Sequence, residues 1–409
     1  MERNDYLPPR TFRGGIFCYI CRMMLRRIIC IALIALTASS CAVLRGLRMD
    51  GPNGPHCFSF EQRECDTVAR GAQAFSFPVG DRAEWIDTLH FYAVKVGGKK
   101  YSLPEAVDLA PNTQGVMIFQ HDSLVYERYW GNMSADRLAT VFSVSKSITS
   151  LLCGIAVDDG YIHSIDDPVT DYLPELLKKD PHWQRLTVRH LLDMRSGLDF
   201  DDSYYLSLKN LNRVMAIARL NYGNNVMRQI RGLKFRCEPG TEHFYESMTS
   251  QILGVVIERA TQRPFAEYLS EKVWQPLEME SPAVVNVDKR GVAQSFGGIS
   301  LALKDLAKIG RLYLHGGVWN GRRIVSEAWI RQSTEYDTSN DGYHFNWYNT
   351  SSFHMEKPAH PGYYALGIKG QVLYVNPDLD LIMVRIGLNN TNPTFVPELF
   401  EELANVWPE

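Results

Sequence analysis

Four short motifs that mark common enzyme classes are missing from this chain of 409 residues. It has no Walker loop, no G-x-G-x-x-G, no H-E-x-x-H and no G-x-S-x-G. Interpretations as a nucleotide-binding protein, a zinc peptidase or an α/β-hydrolase therefore have no support. Long blocks of one charge are also absent, and the net charge is only −3. The sequence thus predicts no nucleic-acid partner.

A hydrophobic run long enough to cross a bilayer is lacking at the amino terminus, where the apolar stretch covers only residues 28–36. Arg26 and Arg27 precede this stretch, and small residues follow it up to Cys41, which is the layout of a secretory signal. We therefore predict a signal or anchor segment at 1–41. The protein is then expected to be exported, either periplasmic or lipid-anchored in the bacterial cell envelope, with no other membrane association.

Cys41 stands where a bacterial lipoprotein carries its lipidated cysteine. Ala38 occupies the position three residues earlier, where leucine is favoured. Lipidation at Cys41, simple cleavage and an uncleaved anchor therefore all stay open. Met23 and Met24 would each begin a signal of ordinary shape, so either is a candidate for the true start of the chain.

Cysteine is sparse, with 8 residues in the chain. Cys18 and Cys21 form a C-x-x-C pair, but no second pair or nearby histidine accompanies them, so no metal site is predicted. Cys57 and Cys65 lie in the exported part and could form a small disulfide. A chain of this length does not need one to fold, and the pairing cannot be derived from sequence.

Turn residues and hydrophobic periodicity divide the rest of the chain. Residues 42–80 are rich in glycine, proline and polar residues, and we interpret them as a tether or an irregular amino-terminal segment. A main domain follows at 81–409, with a mostly helical region at about 160–290. Two hairpins are predicted, from 116–120 with 123–130 and from 371–375 with 381–386. Helices are predicted at 143–158, 188–194, 251–261, 302–315, 326–333 and 397–406.

Strands at both ends of the domain enclose a helical middle. This order predicts an α/β (α+β) fold, in which one antiparallel sheet is flanked by helices and adjoins an α-helical domain. The functional site is expected between the sheet and the helical domain.

Ser143 and Lys146 lie three residues apart at the start of the predicted helix 143–158. This spacing places two side chains on one helix face, so the amine of Lys146 can reach the hydroxyl of Ser143. A lysine kept neutral by desolvation can activate a serine nucleophile, and a helix amino terminus favours developing negative charge. An S-x-x-K match also arises by chance in a chain of this size, and Ser143 would then be only a helix cap.

Further motifs follow this pair in order. They are Val-Arg-His-Leu-Leu-Asp-Met-Arg-Ser-Gly-Leu at 188–198, Pro239-Gly240-Thr241, Tyr245-Glu246-Ser247, Pro276-Leu277-Glu278-Met279, Gly297-Gly298-Ile299 and Gly367-Ile368-Lys369-Gly370-Gln371. Together they resemble the class C β-lactamase-like serine hydrolases, which include penicillin-binding carboxypeptidases, esterases and 6-aminohexanoate-dimer hydrolases. The likeness spans roughly 100–390 and is strongest to the 6-aminohexanoate-dimer hydrolase branch, and several motifs in order are far more specific than one.

The resemblance implies a β-lactamase/transpeptidase-like fold for 81–409 and a role for each matched residue. Ser143 would form an acyl-enzyme, Lys146 would act as general base and Tyr245 would relay a proton. The backbone N–H groups of Ser143 and Ile368 would form the oxyanion hole. No metal or cofactor is implied. Substrate contacts are implied at Tyr204 (or its neighbour Tyr205), Ser247, Gly367 and Lys369, the last as a charge at the rim.

Two positions depart from the β-lactamase pattern. Ser247 stands where the Y-x-N motif has asparagine, and Ala365-Leu366-Gly367 occupies the place of K-T-G. β-Lactamases use that asparagine and lysine to hold the amide and carboxylate of their substrate. The departures therefore argue against efficient penicillin hydrolysis and favour the esterase and amidase branches.

The sequence thus predicts an exported serine hydrolase that cleaves small esters, amides or peptide-like substrates. One alternative is a cell-wall D-alanyl carboxypeptidase or weak β-lactamase. Another is a catalytically silent envelope protein that binds a peptide or muropeptide in the same cleft. The presence of Ser143, Lys146 and Tyr245 together argues against the silent protein.

Overall fold

The computed structural model describes residues 42–80, 90–92, 100–109, 112–201, 211–352, 357–388 and 395–407. Three predictions fall outside the described residues. They are the signal segment at 1–41, the lipidation of Cys41 and the substrate contact at Tyr204.

The strands of the described residues are short except in the central sheet. In chain order they are β1 (Cys65–Val68), β2 (His90–Tyr92), β3 (Lys100–Ser102), β4 (Thr113–Gln120), β5 (Ser123–Tyr129), β6 (Ala139–Thr140), β7 (Ala283–Asn286), β8 (Ile299–Leu301), β9 (Val318–Trp319), β10 (Arg322–Arg323), β11 (Tyr343–His344), β12 (Trp347–Asn349), β13 (Tyr363–Gly367), β14 (Gln371–Asn376) and β15 (Leu381–Gly387).

The α-helices lie mainly between β6 and β7 and around the central sheet. In chain order they are α1 (Leu103–Leu109), α2 (Val144–Asp158), α3 (Val169–Tyr172), α4 (Val188–Leu192), α5 (Leu211–Tyr222), α6 (Val226–Ile230), α7 (Ser247–Thr261), α8 (Phe265–Leu269), α9 (Leu303–Leu314), α10 (Glu327–Thr334) and α11 (Phe395–Asn405). Residues 42–50 are also helical.

The central sheet has seven antiparallel strands in the order β11-β12-β13-β14-β15-β4-β5. Strand β15, near the end of the chain, pairs with β4, and Met383 lies opposite Ile118. The sheet is therefore built from distant segments, as predicted. Both predicted hairpins are confirmed, as β4 with β5 and as β14 with β15.

Both faces of this sheet are covered. Val116 and Ile118 of β4 belong to a core cluster that includes residues of α1 and α11, whereas Met117 and Phe119 belong to the cluster that includes α2 and α9. Successive side chains of a strand point to opposite faces, so β4 is a continuous apolar run buried on both sides. The result is a layered arrangement of helices, sheet and helices.

The predicted helices are confirmed within a few residues as α2, α4, α7, α9, α10 and α11. Among the described residues between β6 and β7, the regular elements are helices, and β7 lies inside the range of about 160–290 that was predicted to be mostly helical. Helix α2 is buried from Val144 to Ala156. It is therefore a core helix that contacts neighbours on all sides, and its polar residues must find partners inside the protein.

A second sheet was not predicted. Its four strands lie in the order β1-β7-β8-β6, and they contain only two to four residues each. Strands this short carry too little periodicity to be recognised in a sequence. This sheet matters for the site because β6 leads directly into Ser143, and the N–H of Val141 donates to the carbonyl of Ile299, 3.0 Å away.

Residues 42–80 run along the body of the protein and bind to it repeatedly. The Cys57 carbonyl accepts a hydrogen bond of 2.7 Å from the N–H of Thr140, and β1 pairs with β7. Farther on, the Pro78 carbonyl accepts from the N–H of Leu124 at the central sheet. The segment that the sequence left open as a tether or an irregular segment is thus hydrogen-bonded to both sheets.

The disulfide that the sequence allowed between Cys57 and Cys65 does not form. Both residues are free thiols. Cys57 is completely buried, and Cys65 Sγ lies 3.3 Å from Asn286 Oδ1. Burial raises the pKa of Cys65 to about 11, which keeps this thiol protonated.

In the described part of the chain, every helix falls short of the length and apolar character that a bilayer span requires.

Candidate active site

Ser143 occupies a sharp turn between β6 and α2. The preceding residue, Phe142, has a φ of 46°, a left-handed conformation that is strained for a bulky side chain. Ser143 itself is the N-terminal cap of α2, and its side chain makes no capping hydrogen bond. Ser143 thus occupies the cap position, but its hydroxyl is not used to cap the helix. The turn leaves the residue half-buried at the amino end of a buried helix.

Lys146 lies beneath this turn and is only 1% exposed. Its Nζ is 2.9 Å from Ser143 Oγ and 3.0 Å from the carbonyl oxygen of Phe296. Two oxygens thus fix the amine, one of them the hydroxyl that it is predicted to activate. Sequence reasoning missed the Phe296 contact because a backbone carbonyl carries no residue-type signal.

The buried polar side chains of α2 explain how the segment before β8 is held at the site. Thr149 Oγ1 donates to the Ser295 carbonyl at 2.8 Å, and Ser145 Oγ accepts from the N–H of Ile299 at 3.2 Å. Together with Lys146, these residues bind the 295–299 segment along one face of the helix. The motif Gly297-Gly298-Ile299 therefore belongs to the wall of the site.

Tyr245 comes from the start of α7 and faces the same amine. Lys146 Nζ lies 5.1 Å from the centre of the Tyr245 ring. The other side of the ring packs on Tyr343 and Tyr348, with centroid distances of 5.8 and 6.4 Å. The structure thus brings Ser143, Lys146 and Tyr245 together, as the resemblance implies.

The Ser196-Gly197 motif supports the segment that carries Tyr245. Ser196 Oγ donates to Glu246 Oε1, and Thr249 Oγ1 donates to the same oxygen at 2.6 Å. The Phe244 N–H also donates to the carbonyl of Met194, at 2.9 Å. The loop after α4 therefore holds both neighbours of Tyr245 in place.

Gly367, at the end of β13, packs directly against the turn that carries Ser143. A Cβ atom at this position would lie 2.5 Å from the Val141 carbonyl oxygen and 3.2 Å from the Ser143 nitrogen. Only glycine allows this approach. The resemblance implies a substrate contact at Gly367, and the structure shows that Gly367 closely approaches the backbone of Val141 and Ser143. The next residue, Ile368, lies in the wall of the cavity that contains Ser143.

A cavity of about 190 Å³ opens beside Ser143. Ser247 and Ile368, both predicted, line it. The remaining lining residues are Gly54, Pro55, Phe142, Ile217, Ala218, Asn221, Tyr222, Phe296 and Gly297. Among these, the contributions of 54–55 and of α5 had no sequence signal, because tertiary packing alone brings those segments to Ser143.

Lys369 lies at the edge of this arrangement. Its φ of 68° turns the chain after Ile368, and its Nζ is 3.4 Å from the carbonyl oxygen of Asn53. This contact connects the predicted rim charge to the amino-terminal segment.

In the described part of the chain, no group of three or more His, Cys, Asp or Glu residues is arranged to hold a metal ion.

A comparison with known families matches residues 95–401 to the family described as Beta-lactamase. The chain belongs to the β-lactamase family. This match confirms the resemblance to the class C β-lactamase-like serine hydrolases, and it spans β3 to α11, including every predicted catalytic residue.

Two similar proteins are named as hydrolases, one of them as an esterase. A 6-aminohexanoate-dimer hydrolase from Paenarthrobacter ureafaciens is 28% identical over 291 residues, which are 67% of this chain and 72% of that protein. Esterase EstB from Burkholderia gladioli is 28% identical over 190 residues, 42% of this chain and 47% of the esterase.

The fold agrees with that of a solved β-lactamase-like structure, a candidate 6-aminohexanoate-dimer hydrolase from Bacillus anthracis. That structure has a TM-score of 0.70 at 20% identity and covers 86% of this chain and 91% of its own. The predicted β-lactamase/transpeptidase-like fold is therefore confirmed. The protein is a serine hydrolase of the β-lactamase family, and its substrates are small molecules.

Proposed function

We propose that this protein cleaves small esters or amides by forming an acyl-enzyme at Ser143. The observation that carries the proposal is the distance of 2.9 Å between Lys146 Nζ and Ser143 Oγ, at a position where Lys146 is almost completely buried. Burial penalises a charged ammonium group more than a neutral amine. It therefore favours the form of Lys146 that can accept a proton from Ser143.

Acylation then proceeds with Lys146 as general base. Lys146 takes the hydroxyl proton while Ser143 Oγ bonds to the carbonyl carbon of the substrate, and the carbonyl oxygen becomes negatively charged. The N–H groups of Ser143 and Ile368 stabilise that oxygen. When the bond to the leaving group breaks, Tyr245 gives its phenol proton to the departing alcohol or amine and takes a proton back from the Lys146 ammonium. Water then attacks the acyl carbon and gives a proton to Lys146, and Ser143 Oγ recovers that proton as it leaves, which releases the acid and restores the free enzyme.

Esters and open-chain amides suit the site better than β-lactams, which are cyclic amides. The cavity beside Ser143 has Ser247 where β-lactamases carry asparagine, and β13 reads Tyr-Tyr-Ala-Leu-Gly with no lysine before Gly367. Lys369, the nearest basic residue in the chain to that position, contacts the Asn53 carbonyl. The site thus lacks the two groups that hold the amide and the carboxylate of the substrate in a β-lactamase, which supports the esterase and amidase branches.

The test is the intact mass of the purified protein after incubation with a fluorophosphonate and, separately, with a penicillin, with each adduct mapped to a peptide. We expect a fluorophosphonate adduct at Ser143, no adduct in Ser143→Ala, and an unchanged adduct in the control Ser134→Ala, which alters an exposed serine. A penicillin adduct would favour the D-alanyl carboxypeptidase or β-lactamase alternative. Absence of any adduct would favour the silent binding protein.

We also propose that the protein is exported, as residues 1–41 suggest. The test is expression of the full chain in a Gram-negative host, followed by fractionation and mass spectrometry of the mature amino terminus. Lipidation predicts a membrane-bound chain that begins with a modified Cys41 and that Cys41→Ser releases. Simple cleavage predicts a soluble periplasmic chain that Cys41→Ser does not change. An unprocessed chain in the cytoplasm would contradict export.

A further inference from the structure

The catalytic cavity has one wall that comes from outside the family match at 95–401. Gly54 and Pro55 line the cavity with Ser143 and Ile368. They end a short turn in which the Gly54 N–H points to the Gly51 carbonyl at 3.4 Å. We call residues 50–55 the strap.

One end of the strap is fixed to α5. The Asp50 side chain is completely buried, and its Oδ2 accepts hydrogen bonds from Arg63 Nη2 at 2.6 Å and from Tyr222 Oη at 2.5 Å. The Arg63 guanidinium also stacks 4.8 Å from the centre of the Tyr222 ring. Tyr222 and its neighbour Asn221 themselves line the cavity. A buried ionic contact therefore joins the strap to one cavity wall.

The other side of the strap reaches the turn after β13. The Asn53 carbonyl accepts from Lys369 Nζ at 3.4 Å, and the residue before Lys369 is Ile368, the predicted oxyanion residue. The strap therefore extends from α5 to the β13–β14 turn. Both of these elements contribute residues to the cavity wall, so the strap connects two parts of that wall.

The lining of the cavity indicates which group it holds. No charged side chain is among the described residues that line it, and Pro55, Ile217, Ala218 and Ile368 are apolar. A dry cavity of roughly 150 Å³ accommodates benzene. The cavity beside Ser143, at about 190 Å³, is therefore suited to a short uncharged chain, and Pro55 occupies space that a longer chain would need.

We propose that the strap is a specificity element, in which Pro55 limits the substrate to short, uncharged acyl groups and the Asp50–Tyr222 contact holds Pro55 in place. This inference rests on the proposed function, because it assumes that the acyl group bound to Ser143 lies in this cavity.

The test compares kcat/KM for p-nitrophenyl acetate, butyrate, hexanoate and octanoate in the full-length protein. Pro55→Ala removes part of the wall, so we expect the octanoate-to-butyrate ratio to rise about tenfold, since one methylene in an apolar pocket changes specificity by roughly that factor or more. Pro52→Ala is the matched control. It makes the same change in the same strap, but Pro52 is exposed and does not line the cavity, so we expect no change in the ratio.

Asp50→Asn provides a second variant at the anchor. We expect it to raise the same ratio while fluorophosphonate labelling of Ser143 stays within about twofold of wild type. If wild type is labelled at Ser143 and Pro55→Ala and Asp50→Asn leave the ratio unchanged, the strap inference is wrong and the proposed function stands. An equal rise in Pro52→Ala would also overturn it. If wild type is not labelled, both proposals fail.

Discussion

The hydroxyl of Ser196 donates a hydrogen bond to the carboxylate of Glu246, the residue that follows Tyr245 and immediately precedes α7. Both side chains are buried, at 3% and 1% exposure. The bond thus connects the loop after α4 to the neighbour of Tyr245, the proposed proton relay. Ser196 itself does not line the cavity beside Ser143. Ser196 is therefore a positioning residue in the proposed mechanism.

Ser196→Ala should lower kcat about tenfold and destabilise the fold by about 1–3 kcal/mol, because a buried carboxylate loses a donor. Activity on p-nitrophenyl butyrate and urea unfolding measure the two effects, and Ser196→Thr should restore kcat. A double-mutant cycle separates positioning from general damage. In a Tyr245→Phe background the further loss of kcat should vanish, whereas an undiminished loss would contradict the positioning role.

Lys146→Met should reduce the rate of Ser143 acylation by about 10²–10⁴, the usual contribution of a general base. The fold should persist, because methionine fills a similar volume in a buried position. The control is Lys304→Met, which alters a lysine paired with Asp136 and Glu280 away from the site and should leave labelling unchanged. Full labelling of Lys146→Met would exclude Lys146 as the base.

Tyr245→Phe should slow turnover about 100-fold while the melting temperature stays close to that of wild type. The phenol oxygen is removed, but the ring contacts with Tyr343 and Tyr348 remain. Steady-state kinetics on a phenyl ester and an anilide of the same acid would measure the effect. The anilide should suffer more, because an amine leaving group depends more on protonation than a phenolate does. Equal losses on both substrates would contradict a relay to the leaving group.

Gly367→Ala should lower kcat about 10²-fold, comparable to the loss of one oxyanion donor. The new Cβ would lie 2.5 Å from the Val141 carbonyl oxygen, so β13 must move away from Ser143 and take Ile368 with it. Gly71→Ala serves as the control, since the nearest atom to a Cβ there is at an ordinary 3.5 Å. Kinetics and a crystal structure of the variant would check the displacement, and unchanged kcat would argue against Ile368 as an oxyanion donor.

Glu258 should make stability depend on pH. Burial raises its pKa from 4.5 to about 7, so the unfolded chain loses this proton at lower pH than the folded protein does. The contribution of Glu258 to the free energy of unfolding should be largest below pH 4.5 and fall by up to about 3 kcal/mol as pH rises toward 7. Glu258→Gln should remove this component, and Glu267→Gln, at an exposed position, should keep it. Denaturant unfolding at several pH values measures the slope.

The central features of the fold and site could be predicted because they depend on local signals. The spacing of Ser143 and Lys146 on a helix is local, and so are the alternating strands of the two hairpins. Long helices such as α2 and α9 have clear periodicity. These signals suffice to predict that the turn carrying Ser143 lies beside a sheet.

Other features depend on packing between distant segments. The Phe296 carbonyl that holds Lys146 has no side-chain signature, and β6 and β8 are too short to show alternation. Gly54 and Pro55 looked like part of a linker because glycine and proline typify loops. Their position beside Ser143 follows from contacts of Asp50 and Asn53 with residues more than 150 positions away in sequence.

Strand β1 and the strap both precede the region matched to the β-lactamase family. A fragment cut at residue 95 would lose the buried side chains of Cys57, Val68 and Phe77, expose one edge of the smaller sheet and open the cavity on one side. The residues proposed to react with the substrate and the strap proposed to select it thus lie in different stretches of the chain. If the strap selects the acyl group, exchanging its six residues would change the substrate, and an alignment restricted to 95–401 would not register that change.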